Sequence, residues 1–154
     1  FVPDKDGDIS NNMTAEGFRK IGILQQLLAN KSIEPGVSGP LFWDEPEANM
    51  NPKLMEFVVR ILLSLSRYNQ QIIITTHDYV LLKWIDLLLN EESGNNVRFH
   101  VLYHKPIKID QKEVLAIKVD STDSYSQIKE NSISNTYSVL YDAEIERALG
   151  RKDK

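Results

Sequence analysis

The chain holds 154 residues, with 18 Lys and Arg against 22 Asp and Glu, giving a formal charge of −4 with His neutral. That length suits one domain, 42% apolar and 26% charged residues exclude a disordered, collagen-like or wholly coiled-coil chain, and no apolar run nears the ~18 to 20 residues of a membrane span. The lack of cysteine excludes disulfides, thiolate metal sites and thiol nucleophiles and fits a reducing, cytoplasmic compartment, while the mild acidity argues against broad, sequence-blind adhesion to nucleic acid.

Phe1-Val2-Pro3 has neither the basic start nor the apolar core of a signal peptide, and a chain opening on Phe is expected to be a piece of something longer. Residues 1 to 12 are rich in Asp, Asn and Gly without periodicity and read as loop. From Thr14 to about Asn30, Phe18, Ile21, Leu24, Leu27 and Leu28 recur at helical spacing, with Thr14 available as N-cap and Glu16 in the first turn. Pro35-Gly36-Val37-Ser38-Gly39-Pro40 then punctuates the chain and launches Leu41-Phe42-Trp43, a short apolar run that predicts a buried strand ending at Asp44-Glu45.

Asn51-Pro52 predicts a helix start, with Asn as cap and Pro at the first helical position. Leu54, Phe57, Val58, Ile61, Leu62 and Leu65 form its apolar face, and the helix is expected to stop near Tyr68-Asn69. Gln71 to Thr75 is β-branched and nearly all apolar, the pattern of a strand covered on both faces of a parallel sheet, and Asp78 is placed to cap a helix running to about Leu89. This β-α-β order predicts a parallel sheet with helices packed on it. Beyond the turn Ser93-Gly94-Asn95-Asn96, Val97 to Tyr103 and Val114 to Val119 read as strands able to pair as a hairpin. Ser121 to Asn135 is polar and weakly patterned, and Tyr137 to Leu149 predicts a final helix. The chain as a whole, 1–154, reads as a single domain fragment, with the chemistry in 13–90 and a hairpin and helix in 91–154.

In an open parallel sheet ligands bind at the carboxyl ends of the strands, and both central strands here end in reactive groups: Asp44-Glu45 on one, His77 on the other. Two adjacent carboxylates leaving a strand call for a positive compensator, and a divalent cation carried by a phosphate ligand supplies one. On that reading Asp44 holds Mg²⁺, directly or through water, and Glu45, pointing elsewhere, polarises an attacking water. Taken alone, Asp44 and Glu45 also fit the start of a solvated loop.

The surrounding residues narrow the choice. Phe42-Trp43-Asp44-Glu45-Pro46-Glu47-Ala48-Asn49, a proline helix start and a strand ending in Thr75-Thr76-His77-Asp78 together resemble the Walker B, D-loop and H-loop series of ABC-type P-loop ATPase heads, in the bacterial "AAA family" or OLD-like and SMC-like branch. The resemblance spans about residues 13 to 90. It implies an α/β fold, the C-terminal lobe of a parallel-sheet P-loop NTPase with a C-terminal β-hairpin and helix. It further implies that Asp44 supports Mg²⁺, that Glu45 is the general base or water-positioning residue, and that His77 senses the γ-phosphate of ATP. Ala48 to Asn51, with Asn49 and Asn51 as nucleotide-site residues, matches the D-loop that crosses the dimer interface.

Ala15-Glu16-Gly17-Phe18-Arg19-Lys20 is similar to the signature segment of these heads, which caps the γ-phosphate held by the opposite subunit. A helix N-terminus attracts an anion, and Gly17 allows close backbone approach. Ala15 stands where that segment usually carries Ser, so a hydroxyl contact is missing unless Thr14 supplies it. Asn51 stands where many transporters have an aspartate and is equally an N-cap before Pro52. No G-x-x-x-x-G-K-[ST] phosphate loop occurs in the 154 residues, so a preceding lobe with Walker A is the expected companion and these residues alone are not expected to hydrolyse ATP.

The resemblance thus implies a homodimer of heads using ATP and Mg²⁺, in DNA maintenance or phage defence, with DNA or a nuclease as a further partner. The alternative is a non-catalytic dimerisation or partner-docking module related to such heads. His100 and His104 share one face of a strand but lie ~13 Å apart at ~3.3 Å per residue, too far to share one metal ion. Trp43 and Trp84 read as packing residues, and Lys105, Lys108 and Lys112 as a solvated face rather than a DNA contact.

Overall fold

The computed structural model describes residues 16–91, 96–109, 112–129 and 131–150. They form a mixed α/β structure divided into two units, one ending at residue 95 and one beginning at residue 96.

The first unit opens with helix α1, Glu16–Ala29. Its inner side is fixed by Gly17 and Leu24, both buried, whereas Phe18, expected on the apolar face, is exposed. Pro35 to Pro40 forms the predicted turn, with Gly36 at φ 81°, a value that favours glycine. Strand β1 follows, Leu41–Asp44. Asn51 then caps a short 3-10 turn, Pro52–Leu54, by accepting from the Lys53 amide at 3.0 Å, and helix α2 runs from Met55 to Arg67.

Strand β2, Ile72–Thr75, lies parallel to β1 with Leu41 opposite Ile72 and Asp44 opposite Thr75. Gln70 is buried and donates through Nε2 to the carbonyls of Gly39 and Gln71 at 2.8 and 3.0 Å, which fixes where the two strands start. Helix α3, Tyr79–Glu91, is capped by Asp78, whose Oδ1 accepts from the Leu81 amide at 2.7 Å. Packing of α2 on α3 makes the core. Met55, Val58, Val59, Leu62, Leu63 and Leu65 face inward from one helix, and Leu81, Ile85 and Leu88 from the other. Burying each such leucine or valine contributes roughly 1.5–3 kcal/mol.

Two expectations are corrected here. Among the described residues the strands are not covered on both faces: Phe42 is 69% and Ile73 41% exposed, and the two are register partners, so one face of the parallel pair carries an exposed apolar step. The α2 stripe is also turned. Met55, Val59 and Leu63 are buried while Phe57 is half exposed, because positions 55, 58, 59, 62 and 63 share one side of the helix and position 57 lies off it.

The second unit is an antiparallel hairpin and a helix. Strand β3, Phe99–Ile109, and strand β4, Lys112–Thr122, pair from Phe99 opposite Thr122 to Ile109 opposite Lys112; β3 starts two residues after the expected Val97 and runs on past Tyr103, and β4 is longer than expected at both ends. A 3-10 turn, Tyr125–Gln127, seats buried Tyr125 edge-on against Phe99, ring centroids 5.9 Å apart. Helix α4, Ser132–Ala148, starts five residues before the expected Tyr137 because Asn131 caps it, accepting from the Ser134 amide at 2.9 Å. Among the described residues no helix is long and apolar enough to cross a membrane.

Candidate functional site

Parallel pairing sets the carboxyl ends of β1 and β2 side by side, so Asp44 and Thr75 are direct neighbours. The Thr75 hydroxyl donates to Asp44 Oδ1 in a short hydrogen bond. One residue on, the Glu45 amide donates to the Thr75 carbonyl at 3.1 Å, which extends the ladder by a step before the chain leaves the sheet. Glu45 itself takes φ 43°, the left-handed region where a Cβ is disfavoured. Its side chain then reaches His77, with Oε1 3.0 Å from Nδ1. The imidazole is 76% and the carboxylate 45% exposed, so the contact is open to a ligand arriving from solvent. Asp44, Glu45 and His77 therefore gather at one end of the parallel pair.

Residues 45 to 50 form a tight reversal held from two sides. The Ala48 amide donates to the Glu45 carbonyl at 3.1 Å and the Met50 amide to that of Glu47 at 2.9 Å. On the β2 side, buried Glu47 accepts through Oε1 from the Thr76 hydroxyl at 2.5 Å, and the Asp78 amide donates to that same hydroxyl oxygen at 3.0 Å. On the α1 side, Asn49 at φ 59° donates through Nδ2 to Glu16 Oε2 at 2.8 Å. Lys20 Nζ donates to the carbonyls of both Glu45 and Ala48 at 3.0 Å. Gly17 sits so close that a Cβ there would lie 3.1 Å from Met50 Cγ and 3.3 Å from Met50 Cα.

Glu16, Gly17 and Asn49 are thus brought together, and Asn51 sits two residues beyond as the cap of the 3-10 turn. Glu16 also faces Arg19 at 3.9 Å. Ala15, like Thr14, lies outside the described residues. The missing Cβ of Gly17 is used by Met50, a reason for glycine there besides close approach to an anion. Lys20, Glu47, Thr75 and Thr76 were not singled out from the sequence. Lys20 lies four residues after Glu16 and so on the same helical face, the one signal that pointed its side chain at the reversal.

The oxygen chemistry at the strand ends fits Mg²⁺ shared with a phosphate. Mg²⁺ is held by one or two carboxylates plus substrate oxygens rather than by a full protein cage, and Asp44 is an exposed carboxylate beside a threonine hydroxyl. Among the described residues no group of three or more His, Cys, Asp or Glu is arranged to hold a metal ion by itself. His100 and His104 fall on β3 four residues apart, with His100 Nδ1 2.8 Å from Ser121 Oγ and His104 opposite Ile117.

No curated protein matches the chain. A solved chain from work on the structural biochemistry of ATP-driven dimerization and DNA stimulated activation of SMC ATPases aligns over 99% of this chain and 71% of its own length, at 14% identity and a TM-score of 0.49. The family model described as "AAA domain, putative AbiEii toxin, Type IV TA system" matches residues 2–83. That match takes in α1, both parallel strands, the reversal after Glu45 and the His77 turn, and covers more than half of the 154 residues; the chain belongs to this AAA family.

Proposed function

We propose that the chain forms part of an ATPase head that binds and hydrolyses ATP and works as a dimer. Membership of the AAA family relates it to ATPases, and the observation that carries the finer reading is the 3.0 Å contact of Glu45 with His77 beside Asp44 at the strand ends. Glu45 accepts a proton from, or orients, the water that attacks the γ-phosphate, and His77 donates to the same phosphate. A carboxylate and an imidazole exposed side by side at the strand ends support such a pair of roles. Asp44 would hold Mg²⁺, which when bound neutralises charge on the phosphates. Catalysis then rests on positioning and electrostatics rather than on covalent chemistry by the protein.

The start of α1 and the reversal at 45–50 serve the second copy. Glu16 and Asn49, joined at 2.8 Å, lie where the head resemblance places groups facing the opposite nucleotide. DNA maintenance or phage defence, with DNA or a nuclease as partner, is the setting proposed for such a head.

The test is Glu45→Gln in the full-length protein. The variant is expected to bind ATP as tightly as wild type, to lose turnover by about 100-fold or more, and to accumulate as a closed dimer in gel filtration with ATP and Mg²⁺. Wild-type turnover would remove Glu45 from its role.

A further inference from the structure

The geometry points to Lys20 as a positioning residue that holds the reversal after β1 in the one conformation that aims Glu45 at His77. This inference rests on the role given to Glu45 above, and deepens it. An ammonium has three donors, and two of those of Lys20 go to backbone carbonyls three residues apart, Glu45 and Ala48, each at 3.0 Å. Because both acceptors are main-chain atoms, the contact fixes the path of the backbone rather than a side-chain rotamer.

That path needs fixing. Glu45 at φ 43° and Asn49 at φ 59° are two non-glycine residues in left-handed conformations within five positions, a state that persists only where the surroundings over-determine it. Glu47–Thr76 and Asn49–Glu16 anchor the middle and far end of the reversal. Lys20 is the side chain bonded to the carbonyl of Glu45 itself, the group whose orientation is set together with the direction of the Glu45 side chain. Lys20 also rides on α1, one turn after Glu16 and buried Gly17, and ties the start of that helix to the residue proposed to handle the attacking water.

The experiment compares Lys20→Met and Lys20→Arg in the full-length protein, by steady-state ATP turnover and by amide hydrogen exchange without nucleotide. Lys20→Met is expected to lower kcat by about 100-fold, as a small misplacement of a reacting group does, while KM for ATP stays within about twofold of wild type. Lys20→Arg, which restores donors to both carbonyls, is expected to recover most of kcat. Exchange of the Ala48 and Met50 amides, both bonded inside the reversal, is expected to quicken by about tenfold or more in Lys20→Met.

Wild-type kcat with unchanged exchange overturns the inference, as does a raised KM with kcat intact or a failure of arginine to rescue. Should Lys20→Met not yield folded protein, Lys20→Gln replaces it with the same outcomes. The two proposals fail separately. Wild-type turnover in Glu45→Gln removes the role of Glu45 whatever Lys20 does, and unchanged exchange at Ala48 and Met50 removes the role of Lys20 whatever Glu45 does.

Discussion

The carboxylate of Glu47 is buried, with one oxygen bonded to Thr76 and the other, Oε2, without a hydrogen-bond partner among the described residues. A buried carboxylate so sparsely satisfied is stable only while its remaining partner is kept. Thr76→Val removes that partner at nearly constant volume and strands the whole group. It is expected to destabilise the protein by about 1–3 kcal/mol, read as a lower urea midpoint with an unchanged slope. The Thr75 hydroxyl, one position earlier, has a different task, because it bonds Asp44 at the open end of the sheet. Neither threonine could be ranked from sequence. Thr75-Thr76 follows a β-branched run and looks like strand ending, and only the parallel register puts one hydroxyl on Asp44 and the other on Glu47.

Elements were legible wherever a local signal decides them. Asn51-Pro52 and Asp78 start helices for reasons contained in three or four residues, and the structure shows Asn51 bonded to the Lys53 amide and Asp78 to the Leu81 amide. Asp78→Ala is accordingly expected to cost about 1 kcal/mol, read in the same urea titration, and a value near zero would mean that the α3 start is held by packing alone. What a single segment does not encode is which of its faces another element covers. The run Ile72 to Thr75 has the composition of a doubly covered strand, yet Ile73 stands exposed beside Phe42. Phe57 is as apolar as its neighbours on α2, yet Val59 and Leu63 are buried and Phe57 is half exposed. The reversal after Glu45 was least legible of all. Glu carries no mark of a positive φ and Asn only a leaning toward one, and the ammonium that bonds the Glu45 and Ala48 carbonyls comes from 25 and 28 residues away.

At the scale of the whole molecule, the family match and the converging strand ends concern the first unit, while the hairpin and α4 form the second. On the proposed function the phosphate contacts would come from outside the 154 residues, which contain no G-x-x-x-x-G-K-[ST] loop. The full-length protein is expected to gain about 2.7 kcal/mol of stability at an ATP concentration one hundred times its Kd, seen as a raised melting temperature that chelating Mg²⁺ reverses. The 154 residues alone are expected to show no such rise, and an equal rise in both would place the phosphate contacts within this chain. The backbone of Glu45 carries a last implication. Its φ of 43° is one that glycine adopts freely, so the amino acid best suited to rest there is not the one the proposed chemistry demands. Heat tolerance and turnover would thus pull that position in opposite directions, and a screen for hardier variants should drift toward proteins that last longer and work less.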